Sequence, residues 1–151
     1  MDNRIPPPLV ATLFGLLMWC AARYLPGAMQ LTIEWRTSLA LVVLLAGLAI
    51  CLAGVLSFRR ARTTVNPLKP ETASALVSSG VYRYTRNPMY LGFATVLIAW
   101  SILLAWPPAL LGVLGFVMYM NIFQIGPEER ALTSLFGREF TRYCSQVRRW
   151  L

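Results

Sequence analysis

From Ser38 to Phe58 the chain has the sequence SLALVVLLAGLAICLAGVLSF, which contains no Asp, Glu, Lys or Arg. A helix needs about 17–25 apolar residues to cross the hydrocarbon core of a bilayer, and this stretch is long enough. Three further stretches, 9–25, 89–106 and 109–125, are similarly apolar, and the first holds one charge, Arg23, near its end. An arginine there can extend to the interface. The sequence therefore predicts four transmembrane helices.

The composition also favours a membrane protein over a soluble one. Hydrophobic residues form 57% of the 151 residues and charged residues only 13%, whereas soluble domains have about 25% charged residues. In a soluble fold these helices would form a buried core, and the chain has too little polar sequence to cover it. We expect a single domain over residues 1–151, an all-α integral membrane protein with a cytoplasmic loop and a C-terminal amphipathic helix.

The basic residues are concentrated in two segments next to predicted spans. Of the 14 lysines and arginines, 11 lie in 59–88 or 126–151. Positive charge beside spans stays in the cytoplasm, so we expect both segments and both termini there, with 26–37 and 106–108 outside. A net charge of +8 distributed in this way indicates contact with membrane lipids rather than with nucleic acid.

Metal chemistry has little support in the sequence. There is no histidine, and the three cysteines, Cys20, Cys51 and Cys144, have no CxxC spacing. Without histidine, di-iron oxygenase and haem sites that depend on imidazole ligands are excluded, and no Cys/His cluster suits zinc. We expect no metal, and we interpret the cysteines as small apolar residues.

The central loop leads into the third span. Glu71–Ser78 could form two helical turns ended by Gly80. Asn87 is a good N-cap and Pro88 suits the first helical position, so the span should begin with its N–H groups facing the cytoplasm. Together with Arg86, this helix terminus could bind an anion. Simple helix capping and interface anchoring are the alternative.

The tail after the fourth span has the pattern of an amphipathic helix. Gly126 ends the span, and Pro127 can occupy the first position of a new helix. Apolar residues then recur at spacings of three and four, with arginines mostly between them, as in a helix lying on the membrane surface or on the bundle. We expect a break in this helix at Gly137.

An acidic pair, Glu128 and Glu129, stands in the first turn of that helix. Acidic side chains there are favourable for the helix dipole, and ion pairs with Arg83 or Arg86 are a simple explanation of their presence. The pair is nevertheless unusual, because the rest of this predicted membrane surface is strongly basic.

Two motifs resemble a known family. The first is Gly80-Val81-Tyr82-Arg83-Tyr84-Thr85-Arg86-Asn87-Pro88-Met89-Tyr90-Leu91-Gly92, and the second is Glu128-Glu129 followed by Leu132, Phe136-Gly137, Phe140, Tyr143 and Val147-Arg148-Arg149. In this order, around a helical hairpin, they resemble the isoprenylcysteine carboxyl methyltransferase family, which is related to the phospholipid methyltransferases. The resemblance covers roughly residues 63–151. It includes 63–67, a run common in the bacterial branch, which implies a bacterial inner membrane.

The resemblance implies a methyltransferase that uses S-adenosylmethionine, held on the cytoplasmic side by elements 63–92 and 121–151. It assigns cofactor binding to Val77, Gly80, Tyr82, Arg86, Asn87, Pro88, Tyr90, Glu128 and Glu129. The catalytic candidates among them are Arg86, Asn87, Tyr90 and Glu129. Many family members have histidine at the position of Asn87, and asparagine can hydrogen-bond there but cannot titrate near neutrality.

The implied acceptor is lipophilic, either a prenylcysteine-like carboxylate or a lipid head group, entering sideways from the bilayer with its polar end near Tyr90, Asn121 and Gln124. A carboxylate acceptor needs no base, and the sequence shows no obvious base for an amine. An NADPH-dependent reductase of the sterol-reductase type, which has a similar Arg-x-Pro-x-Tyr element, is one alternative. A small four-helix transporter is another, although such proteins usually need a charge within their spans.

Overall fold

The computed structural model describes residues 5–61 and 75–151, and within these ranges it contains helices and loops but no strand. Three short elements interrupt or connect the main helices: 3-10 turns at Gly80–Arg83 and Pro107–Ala109, and a π-helical segment at Met120–Ile125. The five α-helices are α1 (Pro7–Tyr24), α2 (Ile33–Arg60), α3 (Pro88–Leu104), α4 (Leu110–Tyr119) and α5 (Gly126–Gln146).

Each predicted span is helical, with small shifts at the boundaries. The largest shift is in α2, which begins at Ile33, within the stretch 26–37 expected to be a loop. The helix expected at Glu71–Ser78 is wrong for its described part, because residues 75–79 are not helical. Val77 is buried there, and Gly80 has a positive φ of 63° that turns the chain, so burial and turn geometry override the local helical preference. Residues 71–74 lie outside the described ranges.

Two helices approach closely through glycines. A Cβ atom added to Gly92 of α3 would lie 2.3 Å from the Cys51 Sγ and 2.7 Å from the main-chain oxygen of Gly47, both on α2. The Cys51 thiol donates a hydrogen bond to the Met89 carbonyl at 3.3 Å. This packing of small residues fixes the first turns of α3 against α2.

The core joins α1, α3 and α4. Phe116, Met120 and Ile125 are fully buried, and the Phe14 ring of α1 packs edge-on against Phe116 with ring centroids 6.1 Å apart. The Trp100 indole of α3 donates to the Gly15 carbonyl of α1 at 3.0 Å. Because α4 continues through the π-helical segment into α5, this core also fixes where α5 begins.

Within residues 5–61 and 75–151, two helical stretches are long and apolar enough to cross a membrane, Ile33–Arg60 and Pro107–Gln146, and α3 is a shorter apolar helix. Much of α2 is uncovered, since Val42, Leu45 and Leu52 each expose more than half of their surface. An uncovered apolar face of this kind suits a lipid environment.

The loop between α1 and α2 and the first turn of α2 contact the C-terminal end of α3. The indole of Trp106 donates to the Pro26 carbonyl at 3.0 Å, and the Met29 N–H donates to the Ala105 carbonyl at 2.7 Å. The Arg36 guanidinium donates to the Leu103 carbonyl through Nε at 3.1 Å and also through Nη2. The bonds to Leu103 and Ala105 satisfy carbonyls that the end of α3 leaves without partners, and the bond to Pro26 ties the loop after α1 to this end.

Candidate functional site

The loop before α3 is held between α2 and α5. Gly80 begins its 3-10 turn, and a Cβ atom at this position would lie 2.9 Å from the Ser57 Oγ of α2. The buried Tyr82 ring packs edge-on against Phe58, with centroids 5.3 Å apart. From α5, the Tyr143 hydroxyl donates to the Tyr82 carbonyl at 2.7 Å. The loop therefore has contacts on both sides that place its end at the start of α3.

The start of α3 differs from the expected capping arrangement. Asn87 occupies the N-cap position, but its side chain forms no capping hydrogen bond. Instead, the Asn87 Nδ2 donates to the Arg149 carbonyl at 3.0 Å, and its main-chain N–H donates to the buried Thr85 hydroxyl at 3.2 Å. The side chain of Asn87 thus binds the C-terminal segment rather than its own helix.

A buried polar cluster joins α3 to the first turn of α5. The Tyr90 hydroxyl donates to Glu128 Oε1 at 2.6 Å, and the Gln124 Nε2 donates to the same oxygen at 2.9 Å. Tyr90 and Gln124 are only 5% and 2% exposed. The π-helical segment contributes Gln124, and π-helical turns occur frequently at functional sites.

A second cluster is formed by charged side chains. Arg86 Nη2 lies 3.2 Å from Glu129 Oε1, and Arg149 contacts both carboxylate oxygens, with Nη2 2.5 Å from Oε2 and Nε 3.1 Å from Oε1. Of the predicted ion-pair partners, Arg86 therefore pairs with Glu129. In the part of the chain that the structure describes, Arg86 Nε is the one buried side-chain nitrogen or oxygen without a hydrogen-bond partner.

The C-terminal segment after α5 folds over these clusters. Its Arg148 carbonyl accepts the Arg86 N–H at 3.0 Å. The indole of Trp150 donates to Asn121 Oδ1 at 3.1 Å, and Arg149 Nη1 reaches the same oxygen at 3.4 Å. The start of α3, the start of α5 and the π-helical segment thus meet around the last few residues.

Electrostatics links the loop to the first cluster. Burial raises the pKa of Tyr82 far above its usual range, and the nearby Tyr143 hydroxyl and Glu128 carboxylate raise this pKa further. Tyr82 is therefore neutral at physiological pH, and its hydroxyl can act as a hydrogen-bond donor close to the carboxylate.

The structure brings together most of the residues that the sequence singled out. Five are joined by direct contacts or through the C-terminal segment: Arg86, Asn87, Tyr90, Glu128 and Glu129. Pro88 is buried at the first position of α3, Gly80 and Tyr82 form the adjoining loop, and Val77 is buried before that loop. Val77 has no described contact with the clusters.

Two partners in the site, Arg149 and Trp150, were not predicted as site residues. Arg149 belongs to the second motif, but nothing in its spacing indicates that its side chain reaches back to Glu129. Within residues 5–61 and 75–151, no group of three or more His, Cys, Asp or Glu side chains is arranged to hold a metal ion.

Comparison with known proteins identifies relatives. An uncharacterised protein of Haemophilus influenzae is 48% identical over 63 residues, which is 42% of this chain and the whole of that protein. Protein-S-isoprenylcysteine O-methyltransferases A and B of Arabidopsis thaliana are 26% and 25% identical over 113 residues, or 75% of this chain and 57% of each enzyme. The chain thus spans a little over half the length of these plant relatives.

A sequence model of the phospholipid methyltransferase family also matches the chain. It covers residues 35–139, from the start of α2 to beyond the acidic pair in α5. This range includes Arg86, Tyr90, Glu128 and Glu129 of the polar clusters and ends before Arg149. The match and the plant relatives confirm the resemblance predicted from the two motifs, and we conclude that the chain belongs to the phospholipid methyltransferase family.

Proposed function

We propose that this protein transfers a methyl group from S-adenosylmethionine to a lipophilic acceptor at the cytoplasmic surface of a membrane. The observation that supports this most directly is the pair of clusters at the junction of α3 and α5. There, the Glu128 carboxylate, bound by the buried Tyr90 and Gln124, and the arginine-bound carboxylate of Glu129 belong to consecutive residues in a chain of the phospholipid methyltransferase family.

The residues of the clusters match the chemical groups of the cofactor. S-adenosylmethionine has a carboxylate, an ammonium, a sulfonium and an adenosine. Arg86 has a buried Nε without a partner, which suits the carboxylate. Glu128 and Glu129 suit the ammonium and the ribose hydroxyls, and the faces of Tyr82 and Tyr90 suit the sulfonium, with a cation–π contribution of about 0.5–2 kcal/mol.

When bound, S-adenosylmethionine supplies a methyl group that its positive sulfur makes electrophilic. The part of the protein in the reaction is to hold the acceptor in line with that group, which can supply most of the rate enhancement of such a displacement. Tyr90 and Gln124 already hold Glu128 in one orientation. Because this carboxylate is engaged by two donors, we assign it to binding rather than to proton abstraction. A carboxylate acceptor, which needs no base, fits this arrangement best.

An apolar groove supports a lipophilic acceptor. It has a volume of about 930 Å³ and lies between α1 and α2 with α3 as its floor. Its lining includes Trp19, Leu41, Phe93, Val96, Trp100 and Leu103. Phe93 stands one turn from Tyr90, so a tail in the groove would place its polar head beside the clusters. Lipid already shelters such a tail, so the groove acts mainly on its orientation.

The proposed topology has α1–α4 as four spans in a bacterial inner membrane, with both termini and residues 59–88 cytoplasmic. The basic residues of 59–88 and 126–151 support this orientation. Thr72→Cys and Gln30→Cys, each in a background without native cysteines, allow accessibility labelling in intact cells. Position 30 should be labelled from outside and position 72 only after permeabilisation; labelling of position 72 from outside would refute the orientation.

Calorimetry on the purified protein tests the cofactor. S-adenosylhomocysteine and NADPH are titrated separately into the same preparation. We expect binding of the first and none of the second. The reverse result would favour a reductase with an Arg-x-Pro-x-Tyr element, and binding of neither would remove the basis of the proposal.

The acceptor is tested by transfer of labelled methyl groups to prenylcysteine analogues and to amine-bearing lipids, in detergent and in vesicles. We expect turnover to fall as the tail is shortened, because the head is then misplaced as well as less concentrated in the bilayer. Efficient methylation of a small water-soluble acceptor, unimproved by a tail, would refute sideways entry and leave the methyltransferase assignment intact.

A further inference from the structure

The C-terminal segment is attached to the site through its main chain. After α5 ends at Gln146, Val147 is extended, and the two following carbonyls point to the start of α3. The Arg148 carbonyl accepts the Arg86 N–H at 3.0 Å, and the Arg149 carbonyl accepts Asn87 Nδ2 at 3.0 Å and the Thr85 hydroxyl at 3.3 Å. Thr85, Arg86 and Asn87 thus donate hydrogen bonds to the carbonyls of two consecutive residues of the C-terminal segment.

The side chains of the same segment point to the carboxylate cluster. The Arg149 guanidinium contacts both oxygens of Glu129, at 2.5 and 3.1 Å, and the Trp150 indole binds Asn121. Contact by a planar guanidinium with both oxygens sets the plane of a carboxylate, which a single contact does not. Without Arg149, the Glu129 carboxylate would keep its contact with Arg86 through Oε1 as its one ion pair within residues 5–61 and 75–151.

We propose that residues 147–150 form a wall of the cofactor site, in which Asn87 and Arg149 are positioning residues that set the orientation of Glu129. Asn87 holds the main chain of Arg149, and Arg149 in turn holds the carboxylate. This inference rests on the proposed function, since it concerns how Glu129 meets the cofactor. It changes the role of Asn87 from a catalytic candidate to a hydrogen-bond donor.

The position of Asn87 allows a sharp test, because asparagine and aspartate are about equally good N-caps. If Asn87 only capped α3, Asn87→Asp would preserve both stability and cofactor affinity. If its amide holds the Arg149 carbonyl, Asn87→Asp removes the donor and places two oxygens in repulsion. Asn87→His retains a donor and should restore the contact.

The measurements are calorimetric affinity for S-adenosylhomocysteine and the rate at which carboxypeptidase removes the last residues. We expect Asn87→Asp and Arg149→Ala each to weaken affinity about tenfold. Asn87→Asp should also speed C-terminal digestion several-fold, with the thermal midpoint unchanged. Asn87→His should stay close to the wild-type affinity. Arg142→Ala is the matched control, because this exposed arginine of α5 lies outside residues 147–150 and its loss should change affinity less than twofold.

The outcomes separate this inference from the proposed function. If the wild-type protein does not bind S-adenosylhomocysteine, the proposed function fails, and digestion of Asn87→Asp still reports the attachment of the segment. If the wild-type protein binds but Asn87→Asp and Arg149→Ala bind equally well, the inference alone fails. Tighter binding by Arg149→Ala would also overturn it, since Arg149 would then compete with the cofactor for Glu129.

Discussion

The two ends of α3 both use an arginine, but the arginines bind different partners. At the C-terminal end, Arg36 donates to the Leu103 main-chain carbonyl, and the Trp106 indole also donates to a main-chain carbonyl. At the N-terminal end, Arg86 pairs with the carboxylate of Glu129. The first arrangement completes the hydrogen bonding of a helix end, and the second brings charged side chains together.

This difference separates a structural end from a candidate site. Carbonyls at a helix terminus need donors in any protein, so bonds to them imply only stability. A carboxylate bound by two arginines, with a buried donor atom left over on one of them, exceeds what the helix requires. Substitutions at the two ends should therefore change different measured quantities.

The largest effect is expected for Glu129→Ala, which removes the carboxylate that α5 contributes to the N-terminal end of α3. It leaves Arg86 and Arg149 without their carboxylate, and losing a charged hydrogen bond costs about 1.5–3 kcal/mol, or roughly 10–150-fold in affinity for S-adenosylhomocysteine. Glu139→Ala, an exposed carboxylate of the same helix, is the matched control. Calorimetry should show a loss for Glu129→Ala alone; equal affinities would mean that the N-terminal end is also merely structural.

Arg36→Ala should have the next largest effect, on stability rather than on affinity. It removes charged donors from the Leu103 carbonyl, which we expect to cost about 2 kcal/mol, or roughly 4–8 °C in the thermal midpoint. Arg23→Ala, at the exposed end of α1, serves as control. The affinity for S-adenosylhomocysteine should stay within twofold of wild type, and a tenfold loss would contradict the division between the two ends.

Tyr90→Phe tests the buried cluster with a smaller change. It removes one donor from Glu128 and preserves the ring, so we expect affinity to fall about tenfold. Tyr84→Phe, at a side chain that is 75% exposed in the adjoining loop, should have no effect. If Tyr90→Phe and Tyr84→Phe bound S-adenosylhomocysteine equally well, the distinction between the two ends of α3 would be weakened.

The smallest effect is expected for Trp106→Phe. Its indole makes one neutral hydrogen bond, to Pro26, worth about 1 kcal/mol or roughly 2–4 °C in the thermal midpoint. Trp35→Phe is the control, since Trp35 is 77% exposed on α2. Thermal unfolding with and without S-adenosylhomocysteine should show the same ligand-induced shift in both variants.

The helices could be predicted from the sequence because apolar length alone specifies them. The four apolar stretches are helical, because a long apolar run has few other stable conformations in lipid. Of the described helical stretches, Ile33–Arg60 and Pro107–Gln146 are long and apolar enough to span a membrane. The break at Gly137 was also predicted, and the structure confirms it with a φ of 50°. The early start of α2 was missed because Ile33–Thr37 contains polar residues that a hydropathy pattern assigns to a loop.

The site was only partly predictable. The resemblance assigned the two motifs to one cofactor site, and the structure joins them through Tyr90 and Glu128. Local pattern could not show that Arg149 returns to Glu129, because that contact depends on an extended residue and on a turn of the chain after α5. Nor could it show that Asn87 binds a distant carbonyl, since its sequence context is also that of an ordinary N-cap.

The helical path is continuous from Pro107 through the acidic pair, and this continuity has a mechanical consequence. Because no loop separates α4 from α5, the apolar helix and the acidic pair in the first turn of α5 move together. Arg86 lies two residues before α3, which the glycines hold against α2. A helix that does not match the thickness of its bilayer tilts. A tilt of α4 and the start of α5 relative to α3 would alter the 3.2 Å contact between Arg86 and Glu129, so we expect the geometry of the site to respond to the thickness of the membrane.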